Sequence, residues 1–193
     1  MNELSPLGRK IFLDRYAVKD VKKETLAVGD LVVAVANPAT GQREIGRVEQ
    51  YDSDADEVVV LLEDGRKVIT NKEGVDKPIE TNPSQMHQRV ARGIAKQERP
   101  EIRDQWEKEF EWLLTDWKFV PGGRILTGAG TNQNLTYFNC YVVPSPKDSR
   151  RGIMTALGNM TEIMSRGGGV GMNLSSLRPK YSFVKGVNGR SSG

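Results

Sequence analysis

Residues 27–79 interrupt a helical chain, because short β-type runs replace helical periodicity there. Turn signals separate these runs, and Thr40-Gly41 and Asp64-Gly65 are examples. Short strands joined by tight turns over this length predict a small inserted β-barrel of the SH3-like kind. The β-type runs occupy residues 31–35, 46–48, 58–62 and 67–69.

The charge of this insert argues against a nucleic-acid partner. Between Glu24 and Glu80 the sequence has 13 acidic and 6 basic residues, although the whole chain carries a net charge of +3. An acidic surface opposes a phosphate backbone. We therefore expect no nucleic acid among the partners, and interpret the insert as a structural or partner-docking module.

Helical signals flank the insert. Ser5 and Pro6 are typical of a helix start and predict a helix over residues 5–17. Asn82-Pro83 and Pro100 begin two further helices, whose tryptophans we expect in the core. His87 has no second histidine or cysteine nearby, so we predict a surface or packing histidine and no metal site. These signals predict helical structure over residues 1–26 and 80–118, on both sides of the insert.

Cys140 is the only cysteine of the chain. A lone thiol is compatible with a nucleophile, a metal ligand, half of a redox pair or a small buried hydrophobic residue. It excludes an internal disulfide framework and fits a reducing cytoplasm. Residues 137–143 around it are almost continuously apolar, which predicts a buried parallel strand. No apolar run is long enough to predict a membrane span.

A glycine cluster at residues 167–171 follows a predicted helix that Asp148 or Ser149 caps. A dinucleotide fingerprint follows a strand instead, and no Gly-Lys-Ser/Thr completes an ATPase phosphate loop. The cluster could bind an anion through backbone amides or could be a tight connection. Arg178 and Lys185, farther along, could hold a triphosphate or be solvated surface residues.

Several fragments, taken in their order and spacing, resemble the catalytic subunit of ribonucleotide reductases. Two others, at residues 4–10 and 119–124, are most similar to its class II, adenosylcobalamin-dependent branch, and the insert resembles one in some class II members. The first set comprises Phe138-Asn139-Cys140, Asp148-Ser149, the run from Ser165 to Asn173, Leu177-Arg178-Pro179 and the run from Gly186 to Gly193.

The resemblance implies a fold and a set of roles. The helical segments at residues 1–26 and 80–118 would form the N-terminal domain, and residues 119–193 would begin a ten-stranded α/β barrel. The chain would thus be of mixed α+β and α/β class. Cys140 would be one of two cysteines that reduce the ribose 2′ position and end as a disulfide. The ribonucleotide would contact Gly123, Asn139, Cys140 and Gly169. A deoxynucleoside triphosphate effector would bind near a dimer interface, at Asp148, Ser149, Arg178 and Lys185.

The family extends for several hundred residues past the match, and those residues carry the partner cysteine, the radical-bearing cysteine and most of the adenosylcobalamin surface. We therefore expect an N-terminal fragment of a split or truncated reductase, active only with C-terminal chains. A split gene, an intein or truncation would each explain it. The alternatives are a non-catalytic deoxynucleotide-binding module, a class I or class III member, and a nucleic-acid adaptor.

Overall fold

The computed structural model describes residues 4–192. It divides into a first unit that ends at Leu135 and a second unit that begins at Thr136. The first unit contains the inserted sheet and most of the helices. The second contains Cys140 and the glycine cluster.

Three helices of the first unit begin at or close to the positions that the sequence predicts, whereas the helix over Gly123–Gly128 was not predicted. Ser5 accepts a hydrogen bond from the Gly8 amide at the start of α1, and Asn82 forms a capping box with Gln85 at the start of α2. Both predicted caps are confirmed. The helices are α1 (Pro6–Ile11), which continues into a π-helical turn (Phe12–Tyr16), α2 (Pro83–Ala95), α3 (Arg103–Leu114) and α4 (Gly123–Gly128).

The insert is a five-stranded antiparallel sheet in the order β4-β3-β2-β1-β5. The predicted strands are confirmed, and Asp64-Gly65 forms the turn between β3 and β4. Closure into an SH3-like barrel stays a prediction. The strands are β1 (Leu31–Asn37), β2 (Gln42–Asp52), β3 (Glu57–Leu62), β4 (Lys67–Thr70) and β5 (Val75–Asp76).

Strand β1 joins the insert to the helices because both of its faces are buried. Val32 and Ala34 belong to the apolar cluster of the sheet itself. Val33 points the other way and packs in the helical cluster with Leu13 and Met86. The period-two alternation of a strand produces this two-sided burial. The insert is therefore packed into the first unit through its own first strand.

The tryptophans of the first unit are not in its core, so that expectation was wrong. Trp112 is 61% exposed, and Trp106 and Trp117 lie at the edge. From α2 and α3 it is Met86, Val90, Ala91 and Leu114 that belong to the buried apolar cluster. His87 is fully buried with its ring edge-to-face on Trp117, at 4.8 Å between centroids. Of the two predicted alternatives, the structure shows the packing histidine and not the surface one.

The second unit is built on a strand–helix–strand element. Strands β6 (Cys140–Val143) and β7 (Gly169–Met172) are parallel neighbours, and α5 (Arg150–Ser165) connects them. A short hairpin of β8 (Phe183–Val184) and β9 (Gly189–Arg190) follows. The second unit thus has the start of an α/β arrangement, whereas the ten-stranded barrel stays a prediction.

The predicted buried strand at 137–143 needs two corrections. The strand is confirmed as parallel, but it begins only at Cys140. It is also not buried, since Val142 is 93% exposed. Among the described residues β6 pairs with β7 alone. The other described elements leave side chains of this two-stranded sheet exposed, Val142 among them. The apolar side chains Ile153, Leu157 and Met164 of α5 are exposed as well.

Candidate functional site

The thiol of Cys140 lies beside the glycine cluster. Cys140 is the first residue of β6 and pairs in register with Gly169, the first residue of β7. The Gly169 amide donates to the Asn139 carbonyl at 2.7 Å. A Cβ atom on Gly169 would lie only 3.2 Å from the Cys140 sulfur, and the thiol itself is exposed. Glycine here leaves the sulfur uncovered on its β7 side.

Three residues predicted for the substrate thus adjoin one another, and the fourth lies elsewhere in the chain. Asn139, Cys140 and Gly169 are all at the starts of β6 and β7 in the second unit. Gly123 is the first residue of α4 in the first unit, where a Cβ atom would lie 3.6 Å from the Tyr16 hydroxyl. Their common contact with a ribonucleotide stays a prediction.

Helix α5 begins at a side-chain cap. Ser149 is its N-cap, because its Oγ accepts from the Gly152 amide at 3.0 Å. Capping by Ser149 is therefore confirmed, and Asp148 has another contact. Arg178 donates from Nε to Asp148 Oδ1 and Oδ2 at 3.0 and 2.8 Å. These hydrogen bonds lower the pKa of the Asp148 carboxyl, so the pair stays ionised near neutral pH.

The structure brings together three of the four predicted effector residues. Asp148 and Ser149 are adjacent in sequence, and the Arg178 ion pair joins them. Lys185 is exposed between β8 and β9, and no hydrogen bond or ion pair within residues 4–192 joins it to the other three. Its role in effector binding stays a prediction.

A cavity of about 360 Å³ lies between the end of β6 and the first turns of α5. Lys147 and Arg151 are among its lining residues, and Ser149 and Asn159 add polar groups. Positive side chains beside the amino end of a 16-residue helix favour an anionic ligand. The sequence does not predict this cavity, because its walls come from a loop and a helix whose approach no local pattern encodes.

Glu80 and Arg89 form an ion pair in the first unit that the sequence does not predict, and their side chains are 8% and 12% exposed. Glu80 precedes the start of α2 and Arg89 lies within it. Their separation of nine residues is not the three- or four-residue spacing at which side chains of one helix pair. Within residues 4–192 no cluster of three or more histidine, cysteine, aspartate or glutamate side chains is arranged to hold a metal ion. In the same part of the chain, no helix has the length and apolar character needed to cross a membrane.

Two protein-family models match this chain in succession. Residues 64–134 match the ribonucleotide reductase all-alpha domain, and residues 138–193 match the ribonucleotide reductase barrel domain. The interval between the matches coincides with the boundary between the two structural units.

Curated relatives agree with the two models. The chain is 27% identical to the large chain of ribonucleoside-diphosphate reductase from Neurospora crassa, over 95% of this chain and 21% of that protein. It is 25% identical to the large subunit of the Variola virus enzyme, over 95% of this chain and 25% of that protein. It is also 28% identical to the ribonucleoside-diphosphate reductase large chain of Cryptosporidium parvum, over 62% of this chain and 14% of that protein. The chain thus spans a quarter or less of these relatives.

Proposed function

Because the chain carries the all-alpha domain and the beginning of the barrel domain of a ribonucleotide reductase large subunit, we propose that it takes part in reducing ribonucleotides to deoxyribonucleotides. Cys140 supplies one of the two thiols that reduce the ribose 2′ position. The names of the relatives favour a ribonucleoside diphosphate as substrate.

The proposed chemistry balances with two thiols. The ribose 2′ hydroxyl leaves as water, a hydrogen takes its place, and the two sulfurs form a disulfide that a later thiol reductant reopens. Cys140 provides one sulfur, and the second belongs to barrel residues on a C-terminal chain or a longer form of this one. A single cysteine cannot complete this cycle.

The observation that carries the proposal is the Cys140–Gly169 pairing. It presents an exposed thiol beside a residue without a side chain, at the start of two parallel strands. A ribose could approach the sulfur from that side, and Asn139 precedes the thiol directly. The exposed apolar faces of β6 and α5 support the further proposal that other barrel elements, and a second assembled unit, pack against them.

We further propose that a deoxynucleoside triphosphate effector binds at the start of α5. Asp148 and Ser149 provide acceptors, and Lys147 and Arg151 line the adjacent cavity. Arg178 orients Asp148, whose pKa is lowered, so the carboxylate is available to ribose hydroxyls at neutral pH. We include Lys185, an exposed cation between β8 and β9, in this proposed site as a partner of the phosphates.

Adenosylcobalamin, the class II cofactor, does not fit a cavity of this part of the chain. The reaction needs a radical, which that cofactor supplies when bound. A cavity of about 430 Å³ in the first unit, for example, is far smaller than a corrinoid. We therefore assign no step of the reaction to it through these residues. Class II membership remains our proposal from the fragments at residues 4–10 and 119–124.

A reconstitution experiment tests this function. The chain is combined with candidate C-terminal chains and assayed for reduction of ribonucleoside diphosphates, with adenosylcobalamin or with a radical-generating subunit. We expect activity only in the mixture, and we expect Cys140→Ser to abolish it while deoxynucleotide binding persists. Effector binding without activity in any mixture would favour a non-catalytic regulatory module. An active Cys140→Ser mixture would refute the role of the thiol.

A further inference from the structure

Arg89 of α2 is largely buried in the first unit and is paired with the buried Glu80. The two side chains are only 12% and 8% exposed. Arg89 donates from Nε to Glu80 Oε1 at 2.6 Å and from Nη2 to Oε2 at 3.0 Å. This fork of two parallel bonds fixes the plane of the guanidinium as well as its position.

The same guanidinium holds the end of α4. Nη2 donates to the Leu126 carbonyl at 2.9 Å, and Nη1 donates to the Ala129 carbonyl at 2.6 Å. The last carbonyls of a helix have no partner within the helix. Helix α4 has only six residues, and its N-cap Gly122 offers no side-chain hydrogen bond. A helix this short is not stable alone, so α4 depends on its tertiary contacts. These include the two hydrogen bonds from Arg89 and the packing of Leu126 in the helical cluster.

Close backbone packing brings this segment within reach of Arg89. A Cβ atom on Gly93 of α2 would lie 2.3 Å from the Gly130 amide nitrogen. Glycine at position 93 thus lets the chain after α4 pack directly on α2. An ammonium in place of the guanidinium would be a single point donor and could not span the carboxylate and both carbonyls in a planar fork.

Glu80 extends this arrangement to the amino-terminal segment. Its Oε2 also accepts from the Val18 amide at 3.0 Å, and the Ile79 amide donates to the Val18 carbonyl at 2.7 Å. The exit of the insert, the segment after the π-helical turn and α4 therefore meet at one buried ion pair.

We infer that Arg89 is a positioning residue of the nucleotide site. Through the Leu126 and Ala129 carbonyls it sets the backbone of α4, whose first residue, Gly123, is predicted to contact the ribonucleotide. This inference rests on the proposed function. It predicts that loosening the guanidinium weakens substrate binding in molecules that are fully folded.

The test compares Arg89→Lys with Arg92→Lys. Arg92 lies on the same helix and pairs with Glu107, but its side chain is 63% exposed. Both substitutions keep the charge. In the active assembly, Arg89→Lys should raise the KM for the ribonucleoside diphosphate about tenfold, equivalent to about 1.4 kcal/mol, with a smaller effect on kcat. Hydrogen exchange at the amides of residues 123–131 should accelerate, and Arg92→Lys should change neither quantity more than twofold.

The two readouts separate the possible failures. Unchanged exchange in Arg89→Lys overturns the inference, and so does faster exchange with an unchanged KM, because that result indicates a purely structural role. If the parent assembly reduces no ribonucleotide, the proposed function fails and the positioning role fails with it, whereas the exchange data still show whether Arg89 holds α4. If Arg89→Lys does not fold, Glu80→Gln replaces it, and the same two outcomes decide.

Discussion

Alanine at Gly130 should destabilise the first unit far more than alanine at Gly65. Both glycines have positive φ, +75° and +85°, in the left-handed region. A Cβ atom at Gly130 would lie 2.4 Å from the Arg89 carbonyl oxygen and 2.8 Å from Arg89 Cγ. At Gly65, in the turn between β3 and β4, it would meet nothing within 4 Å. Comparing the two alanine variants therefore separates the cost of steric overlap, present only at Gly130, from the cost of backbone strain, present at both sites.

The expected magnitudes follow from this difference. The left-handed conformation costs an alanine about 1–2 kcal/mol at either site. Overlap with a packed helix backbone, which cannot rotate away, adds about 1–3 kcal/mol at Gly130. We therefore expect Gly130→Ala to lower the free energy of unfolding by about 2–5 kcal/mol and Gly65→Ala by about 1–2 kcal/mol.

Tryptophan fluorescence during urea unfolding measures both values. The three tryptophans of the chain, Trp106, Trp112 and Trp117, all lie in the first unit, so the signal reports that unit alone. The midpoint and slope of each transition give the free energy in water. Equal losses for the two variants would refute the packing of Gly130 on α2, and with it the approach that lets Arg89 reach α4.

Three further predictions concern other parts of the chain. Burial lowers the pKa of His87, so the unfolded state takes up the proton first and the free energy of unfolding should fall as the pH drops below about 6.5. His87→Phe should flatten this pH dependence of the urea midpoint, and an unchanged pH dependence in that variant would contradict the role of His87. Gly158 lies within α5 with open space where its Cβ would be, so Gly158→Ala should stabilise the helix by about 0.5–1 kcal/mol; slower amide exchange in α5 checks this, and faster exchange would count against it. The exposed Cys140 thiol should react with a disulfide reagent in the native chain, one thiol per chain, and a reaction seen only after denaturation would contradict its exposure.

Local signals in the sequence predicted the local structure correctly. Ser5, Asn82 and Ser149 cap helices because a side-chain oxygen three residues before a free amide is a geometry encoded within one turn. The Asp64-Gly65 turn and the strands around it also depend on neighbours in sequence. These elements could be read without knowledge of the tertiary fold.

Contacts between distant segments could not be read in this way. The Glu80–Arg89 pair and the carbonyls that it holds belong to three separate segments, and nothing in their spacing indicates that they meet. The tryptophans were misplaced for a related reason. Their periodicity identifies a face of α3, but the partner packed there decides whether a ring fills the core or covers its edge.

The strand that begins at Cys140 has a sequence typical of a strand buried on both faces, although the structure leaves it exposed. In the described residues β6 has one neighbour, and Val142 is almost fully exposed. Apolar side chains of α5 are exposed too, and each such group costs free energy while it faces water. The match of residues 138–193 to a barrel domain provides a reason for this pattern. It supports the proposal that additional barrel strands and helices cover these faces in the active reductase and bring a second thiol to Cys140.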